Sequence, residues 1–287
     1  MQHTNLEEFS FLDKPSVESI QDSLEDNGAV LIHDVIDKDY LRMLKVRMDE
    51  DSKTLLEFCQ EHGYQPTSKG HLQQTPPTHP PYLHRDVLAQ PFIWSVLKGL
   101  LGNSAGIIFL GGNTNCPDSE PQSVHIDQPH PNDGKKPTST LILSIPVQHM
   151  GPENGSIEIW PGSHKVPSQT KTCVDDLFHR RKSVPPVQPT VKVGSVLLRN
   201  SRTWHRGTRN TSSDYRHMIS VVINKEPKNK VLFDYSAREF LERENVSVEP
   251  EYTDFVEEYL FEQTRTVNLI RAGISDDLPK VTPLIEI

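Results

Sequence analysis

The stretch PQSVHIDQPHP holds the first residues that suggest chemistry, because His125 and Asp127 lie one residue apart in a strand-like context. Side chains at positions i and i+2 of a strand point to the same side, so both could reach one ion. A third ligand is available in His205, which follows a predicted strand around residues 196–198. Two histidines and one carboxylate form the facial set that binds Fe(II) in mononuclear oxygenases and leaves coordination positions open.

Arg216 lies eleven residues after His205 and opens another predicted strand. A guanidinium can donate two parallel hydrogen bonds to a carboxylate, a geometry that an ammonium group cannot match. A dicarboxylate co-substrate that binds the metal through one end needs such a group for its other end. The three ligands together with Arg216 therefore indicate an oxygenase more strongly than the three ligands alone.

Three stretches, SVHIDQ, PENGSIEIWPGSHK and WHRGTRNTSSDYR, resemble the phytanoyl-CoA dioxygenase family of iron- and 2-oxoglutarate-dependent oxygenases. The resemblance covers about residues 16–225 and is specific because the motifs occur as an ordered set. It implies a double-stranded β-helix, or jelly-roll, core of the cupin-like kind. It also implies that Fe(II) is bound by His125, Asp127 and His205, and that 2-oxoglutarate and dioxygen are co-substrates.

The same resemblance implies roles for residues around the metal ligands. Arg216 matches the family's arginine after the distal histidine and would bind the far carboxylate of 2-oxoglutarate. Gln122 and Thr140 match positions where relatives often contact the co-substrate. Halogenating relatives have a small residue in place of the carboxylate, so Asp127 implies hydroxylation, desaturation or oxidative cyclisation. We expect a small-molecule metabolite as substrate, in a biosynthetic or tailoring step that releases succinate and carbon dioxide.

Two other classes of function stay open on the sequence. The chain could be a non-catalytic jelly-roll binding module in which the metal is structural. It could also be a cupin-like hydrolase or isomerase that holds zinc or manganese with the same triad. Neither class needs an arginine facing the metal cavity, so Arg216 favours the oxygenase.

A second H-x-D occurs at His84 and Asp86, where the sequence begins a helix. Residues i and i+2 of a helix point in different directions, so this pair should be structural, with Asp86 as a helix cap. By the alternation of strands, His217 and Trp204 should pack away from the metal. Asn113 and Asn115 could face the cavity.

The arrangement of elements predicts a mostly β fold with flanking helices. Helices are expected at residues 16–27, 37–63 and 86–101, and helical patterning returns at about 234–264. Between them lie short β-rich runs separated by Gly, Pro, Asn and Asp, as in a sandwich or barrel. We expect one domain over residues 1–287, with N-terminal helices (1–104), the β core (105–225) and a C-terminal helical segment (226–287).

Composition limits the possible partners. The net charge of −9 argues against nucleic acid, which requires a basic face. One basic run, at residues 179–182, is read as a solvated loop. Three widely spaced cysteines and a polar, acidic N-terminus indicate a reducing, cytoplasmic location, and no apolar run is long enough for a membrane helix. The chain could be a monomer or a homodimer, and its specificity should depend on loops at about 64–84, 128–138 and 166–189.

Overall fold

The computed structural model describes residues 6–63, 70–128, 139–166 and 184–254, and also Phe261, Thr264, Arg265, Thr266 and Asn268. The basic run at 179–182 and large parts of the three expected specificity loops lie outside the described residues. Among the described residues, none of the helices combines the length and the apolar character of a membrane-spanning segment.

The helices begin at residues whose side chains can accept hydrogen bonds from free backbone N–H groups. At the first helix, Ser16 Oγ accepts from the N–H of Ser19, and Gly28 ends the helix with a φ of 77°. At the second, Asp37 Oδ1 accepts from the N–H of Tyr40 at 2.7 Å. Both starts were predicted from these caps and are confirmed. The helices with described bounds are α1 (Val17–Asn27), α2 (Lys38–Glu61), α3 (Arg85–Leu88), α4 (Pro91–Leu101) and α5 (Arg238–Arg243).

The single helix predicted at residues 86–101 is wrong, because the chain forms α3 and α4 with a break between them. Pro91 has no N–H and disfavours a helical conformation at the residue before it. Gln90 is accordingly extended, and its side chain accepts from the first N–H groups of α4. The predicted capping role of Asp86 is also wrong: the ring of His84 caps α3, while the Asp86 carboxylate accepts from the N–H of Asp37.

Within the described residues, the strands form one large and two small sheets. Their bounds are β1 (Glu8–Ser10), β2 (Ala29–His33), β3 (His71–Gln73), β4 (Gly106–Asn115), β5 (Thr140–Pro146), β6 (Ile157–Ile159), β7 (Val196–Asn200), β8 (His205–Gly207), β9 (Arg216–Asn224), β10 (Lys230–Asp234) and β11 (Glu249–Thr253). The large sheet has the order β1-β2-β7-β5-β9-β4-β3, and β6 pairs with β8. Its strands are antiparallel except for the pair β1 and β2.

The large sheet separates two apolar layers. On its outer face, residues such as Leu198 and Val221 pack against the helices in the largest core cluster. On its inner face, Leu197 and Met218 pack against Ile157 and Ile159 of the β6–β8 sheet. The fold prediction is confirmed: this is a jelly-roll type core with flanking helices, formed by a seven-stranded mixed sheet facing a shorter one, without closure into a barrel.

The chain after the β core contains strands as well as a helix. In the stretch expected to be helical at about 234–264, α5 is present, but β11 pairs in parallel with β10. Pro250 cannot donate a backbone hydrogen bond to a helix, and it lies within this strand. Val248, just before β11, forms a bridge with Ile107 of β4, so the segment follows the large sheet. The division into one domain stays a prediction.

A buried polar network joins α2 to the outer face of the sheet. The Nε2–H of His217 donates to Asp49 Oδ1 at 2.8 Å, and Nδ1 of the same ring lies 2.8 Å from Thr114 Oγ1. Thr114 Oγ1 is also in hydrogen-bond contact with Gln74 Oε1. His217 is therefore a packing residue on the face opposite Arg216, its neighbour in β9, in agreement with the prediction for it.

We expect Leu44→Ala to lower the free energy of unfolding by about 2–5 kcal/mol, because it leaves a cavity where α2 packs on the sheet. Leu44 is fully buried in the largest core cluster. Val46, on the same helix and 60% exposed, provides the matched control, and Val46→Ala should change the value by less than about 0.5 kcal/mol. Urea unfolding measures both. Equal losses for the two variants would contradict the packing described for α2.

The stability of the fold should also decrease as the pH falls from 7.5 to 5.5. Burial lowers the pKa of His217 below the ordinary value, despite the opposing effect of Asp49. The unfolded chain therefore binds a proton at about pH 6.5 that the folded chain resists, and the stability is lost as the pH decreases. Urea unfolding at several pH values should show a smaller slope for His217→Gln than for the unsubstituted protein. A slope in His217→Gln equal to that of the unsubstituted protein would rule out this contribution.

Candidate metal centre

The segment that carries the H-x-D motif is held against β8 by a reciprocal pair of backbone hydrogen bonds. The N–H of His125 donates to the carbonyl of His205, and the N–H of His205 donates to the carbonyl of His125, both at 3.0 Å. The N–H of Asp127 donates instead to Ser201 O at 2.9 Å. The strand predicted for QSVHIDQ is therefore reduced to one isolated bridge, because the chain turns toward Ser201 after the first pairing.

This pairing brings the three predicted ligands together. One ligand atom from each of His125, Asp127 and His205 lies within 4.8 Å of the others. His205 Nε2 is 3.8 Å from Asp127 Oδ2, and the two imidazole centroids are 4.3 Å apart. The separations are short enough for one ion to contact all three groups.

Backbone carbonyls fix which nitrogen of each imidazole is available. The Nδ1–H of His125 donates to Ser123 O at 2.8 Å, and the Nδ1–H of His205 donates to Thr203 O at 2.9 Å. A carbonyl can only accept, so the proton of each neutral ring is on Nδ1 and Nε2 keeps its lone pair. This arrangement orients metal-binding histidines in many proteins.

The protonation states also suit a divalent cation. Burial, with the positive charge of Arg199 nearby, holds the pKa of His205 well below its ordinary value, so the ring is neutral at pH 7. Burial alone would raise the pKa of Asp127, but Arg199 and the two histidines together hold it well below the usual range. Together with the imidazole of His125, the neutral ring of His205 and the carboxylate of Asp127 make up the donor set of a facial Fe(II) site.

Arg216 is buried and has hydrogen-bonding groups to spare. Its Nη2 donates to Gly155 O at 3.1 Å, whereas Nε and Nη1 have no hydrogen-bond partner in the described structure. Burial lowers the pKa of Arg216 to about 10, so the side chain is still charged at neutral pH. Buried, unpaired N–H groups of a charged guanidinium are unfavourable unless an anion accepts from them. The arginine therefore fits a carboxylate ligand.

Gln122 and Thr140, the two weaker sequence candidates, lie toward different ends of the inner face. Gln122 Oε1 accepts from the N–H of Gly207 at 2.8 Å, on the side of β8 near His71. Thr140 Oγ1 accepts from Asn224, its partner in β9, and the Thr140 carbonyl accepts from the N–H of Ser201. Their roles in co-substrate binding stay predictions.

Thr140 and Arg216 cannot bind the same carboxylate. The eight residues from Asn224 to Arg216 along β9 correspond to about 26 Å at roughly 3.3 Å per residue. Thr140 is instead close to the backbone of Asp127, because both bond to Ser201: the N–H of Asp127 donates to Ser201 O, and the N–H of Ser201 donates to Thr140 O. Any contact of Thr140 with a bound molecule would be at the metal end.

The remaining candidates separate into cavity and packing residues. Asn115 pairs with Arg216 across the β4–β9 ladder and keeps a buried Oδ1 without a hydrogen-bond partner. Asn113, two residues earlier, donates to Leu72 O at 3.3 Å. Trp204 is fully buried in a cluster with Val124, Ile126 and Trp160. His164, at the end of the PENGSIEIWPGSHK stretch, has its Nε2 3.0 Å from Glu25 O in α1.

Sequence reasoning missed two residues beside the centre. Arg199, on β7, donates through Nη1 to Asp127 Oδ2. A charged residue within the apolar run VLLR was a usable signal, because arginine is rarely buried without a partner. His71, on β3, is buried and its Nε2–H donates to Glu120 O at 2.7 Å. It lies in a Pro-rich stretch that gave no indication of a strand.

The sequence of the chain matches the model of a known protein family. Residues 24–218, about two thirds of the chain, match the family described as Phytanoyl-CoA dioxygenase (PhyH). The chain belongs to the phytanoyl-CoA dioxygenase family. The matched region includes the three candidate ligands and Arg216, and membership supports an oxygenase of the dioxygenase type.

One curated protein and several solved structures are similar to the chain. Dioxygenase aneA from Aspergillus aculeatus is 23% identical over 210 residues, which are 67% of this chain and 66% of that protein. The structure of SnoK, a non-heme alpha-ketoglutarate-dependent carbocyclase from nogalamycin biosynthesis, matches with a TM-score of 0.55 at 20% identity, over 74% of this chain and 85% of that one. EvdMO1 matches with a TM-score of 0.53 at 20% identity, over 72% of this chain and half of its own. These structural likenesses confirm the fold.

The site predicts one equivalent of bound Co(II), used as an air-stable stand-in for Fe(II), per chain at neutral pH. We expect His205→Ala to weaken this binding by more than about 100-fold, beyond the 10–100-fold typical of residues that only support a ligand. His62→Ala, on the exposed end of α2, is the control and should bind as the unsubstituted protein does. Competition with a chelating dye measures the affinities. Undiminished binding in folded His205→Ala would remove this residue from the metal centre.

Proposed function

We propose that the protein is an Fe(II)- and 2-oxoglutarate-dependent oxygenase that oxidises a small-molecule metabolite in a biosynthetic or tailoring step. The observation that carries the proposal is the pair of unpartnered N–H groups on Arg216, buried on the inner face of the sheet. A structural metal site or a metal hydrolase has no need of this charge, whereas a dicarboxylate co-substrate does. Family membership supports the same reaction class.

The chain's own residues would divide the work between holding the metal and holding the acid. His125 and His205 would bind Fe(II) through Nε2, and Asp127 through its carboxylate. Arg216 would bind one carboxylate of 2-oxoglutarate through Nε and Nη1. When bound, Fe(II) and 2-oxoglutarate would supply the oxidising chemistry with dioxygen: in a hydroxylation, one oxygen atom would go to the substrate and the other to succinate, with release of carbon dioxide.

The residues around the site form a cavity from which water is largely excluded. Arg216 and His205 are almost completely buried, and the inner face between them carries apolar side chains such as Met218. A dry cavity strengthens the ion pair between Arg216 and the acid and protects reactive species from water. The protein contributes orientation and exclusion of solvent, and no described side chain needs to act as an acid or base.

A metabolite is favoured over a coenzyme A thioester as the substrate. The chain has 39 acidic against 30 basic residues, and a thioester would need a basic surface for its phosphates. SnoK, with a similar fold, is a carbocyclase from nogalamycin biosynthesis, which supports a tailoring role. Hydroxylation, desaturation and oxidative cyclisation are the outcomes we propose, in a cytoplasmic monomer or homodimer.

Binding of the co-substrate should depend on the guanidinium of Arg216. We expect Arg216→Lys to raise the dissociation constant of 2-oxoglutarate by about 10–100-fold, because a charge-assisted pair contributes roughly 1.5–3 kcal/mol and the ammonium cannot form the same fork. The affinity for Co(II) should not change. Calorimetric titration of the Co(II)-loaded protein measures both, and Arg209→Lys, on the exposed connection between β8 and β9, is the matched control.

Two results would contradict the proposal. Unchanged affinity for 2-oxoglutarate in Arg216→Lys would mean that another group holds the acid. N-oxalylglycine resembles 2-oxoglutarate but cannot be decarboxylated. If it does not compete for the site, a hydrolase or a structural metal is favoured.

A thermal-shift screen of metabolites, with an inert divalent metal and 2-oxoglutarate present, would identify the substrate by its stabilising effect.

A further inference from the structure

The three candidate ligands differ in how their side chains are oriented. Each histidine is oriented by a backbone carbonyl two residues before it in the chain. Among the described residues, no backbone group bonds to the carboxylate of Asp127. The only hydrogen-bond donor to the carboxylate in the described structure is Arg199, through Nη1. The guanidinium therefore takes the part for Asp127 that the carbonyls take for the imidazoles.

Arg199 is well supported in its own position. It lies on β7 in the middle of the large sheet, in register with Ala29 on one side and Ile142 on the other. Its side chain is 5% exposed, and it shares the inner face with Leu197, two residues before it. A buried arginine on a strand paired along both edges has little freedom to move.

Two other roles for Arg199 fit the structure less well. Arg216 already supplies an anchor for the co-substrate, and Nη1 of Arg199 is paired with Asp127, which leaves its buried Nε without a hydrogen-bond partner in the described structure. It is also far from Arg216: Arg199 aligns through Ile142 with Val222, which is six residues along β9 from Arg216, about 20 Å at roughly 3.3 Å per residue. The second alternative is a purely structural ion pair, which would not require the partner of Arg199 to be the carboxylate of the metal centre.

We propose that Arg199 is a positioning residue that holds the Asp127 carboxylate in the orientation in which it binds the metal. The inference rests on the proposed metal centre and adds to it a residue outside the three ligands. A carboxylate can rotate about two side-chain bonds, and a charge-assisted hydrogen bond to one oxygen restricts both rotations. Partners of this kind typically contribute 10–100-fold to metal affinity or activity.

Metal binding tests the proposal without any turnover. Arg199→Met removes the donor and the charge while keeping much of the apolar stem, and Arg199→Lys restores a charged donor. Arg47→Met is the matched control, since Arg47 forms a partly buried pair with Asp51 on α2, away from the centre. The measurements are the Co(II) dissociation constant at pH 7, the visible ligand-field spectrum of bound Co(II), and the melting temperature with the metal removed.

We expect Arg199→Met to weaken Co(II) binding by about 10–100-fold and to change the ligand-field spectrum. Arg199→Lys should recover part of the affinity, and Arg47→Met should match the unsubstituted protein in both. If Arg199→Met does not fold, Arg199→Gln replaces it, because glutamine keeps a neutral donor and should still lose about tenfold or more in affinity.

Binding in the folded Met or Gln variant that is within threefold of the unsubstituted protein, or tighter, with an unchanged spectrum, would overturn the proposal. Tighter binding in particular would mean that the charge of Arg199 repels the cation more than its hydrogen bond orients the ligand. If the unsubstituted protein itself binds no Co(II), the metal centre fails and the role of Arg199 fails with it. Failure of the metal centre therefore shows in the unsubstituted protein, whereas failure of the Arg199 proposal alone shows only when the variants are compared with it.

Discussion

The site depends on one short backbone contact, the reciprocal hydrogen bonds between His125 and His205. These bonds place two imidazoles from distant parts of the chain side by side, with their Nε2 atoms available. Asp127 follows two residues later and reaches the same point because the chain then bonds to Ser201. If this bridge were displaced by one residue, the side chains would face the other side and the three ligands would separate.

The rest of the fold keeps this bridge in place and gives it a polar cavity. The short β6–β8 sheet carries His205 over the inner face of the large sheet, and the apolar residues between the two sheets hold them together. Two buried arginines lie on the inner face of the large sheet, Arg199 beside the metal carboxylate and Arg216 with groups left for a ligand. A buried charge of this kind is unfavourable in free energy unless it is paired. Arg199 has its anion in Asp127, and Arg216 would have one in a bound carboxylate.

Much of this arrangement could be predicted from the sequence, because caps, breaks and strand patterns are local. Ser16, Asp37 and Gly28 set helix ends through their own side chains or conformations, and the runs around β4, β5 and β9 show strand composition. The H-x-D motif and His205 could be found in the same way, because residue type, spacing and strand-like context mark them as candidate metal ligands. The break between α3 and α4 was also predictable, because Pro91 disfavours a helical conformation at the residue before it.

What the sequence could not provide was pairing between distant segments. Arg199 becomes a partner of Asp127 only because β7 lies next to β2 and β5, and no local pattern specifies that contact. Thr140 illustrates the reverse: it lies on the expected strand, yet its register with Asn224 sets it far from Arg216. The strand at β11 likewise depends on β10, which supplies its hydrogen bonds.

The most direct test of the account is a crystal structure of the protein with Mn(II) and N-oxalylglycine, grown without oxygen. We predict one metal ion bound by Nε2 of His125, Nε2 of His205 and the carboxylate of Asp127, with the far carboxylate of the inhibitor on Nε and Nη1 of Arg216. A metal ion bound elsewhere, or an inhibitor carboxylate that leaves Arg216 without a partner, would contradict it.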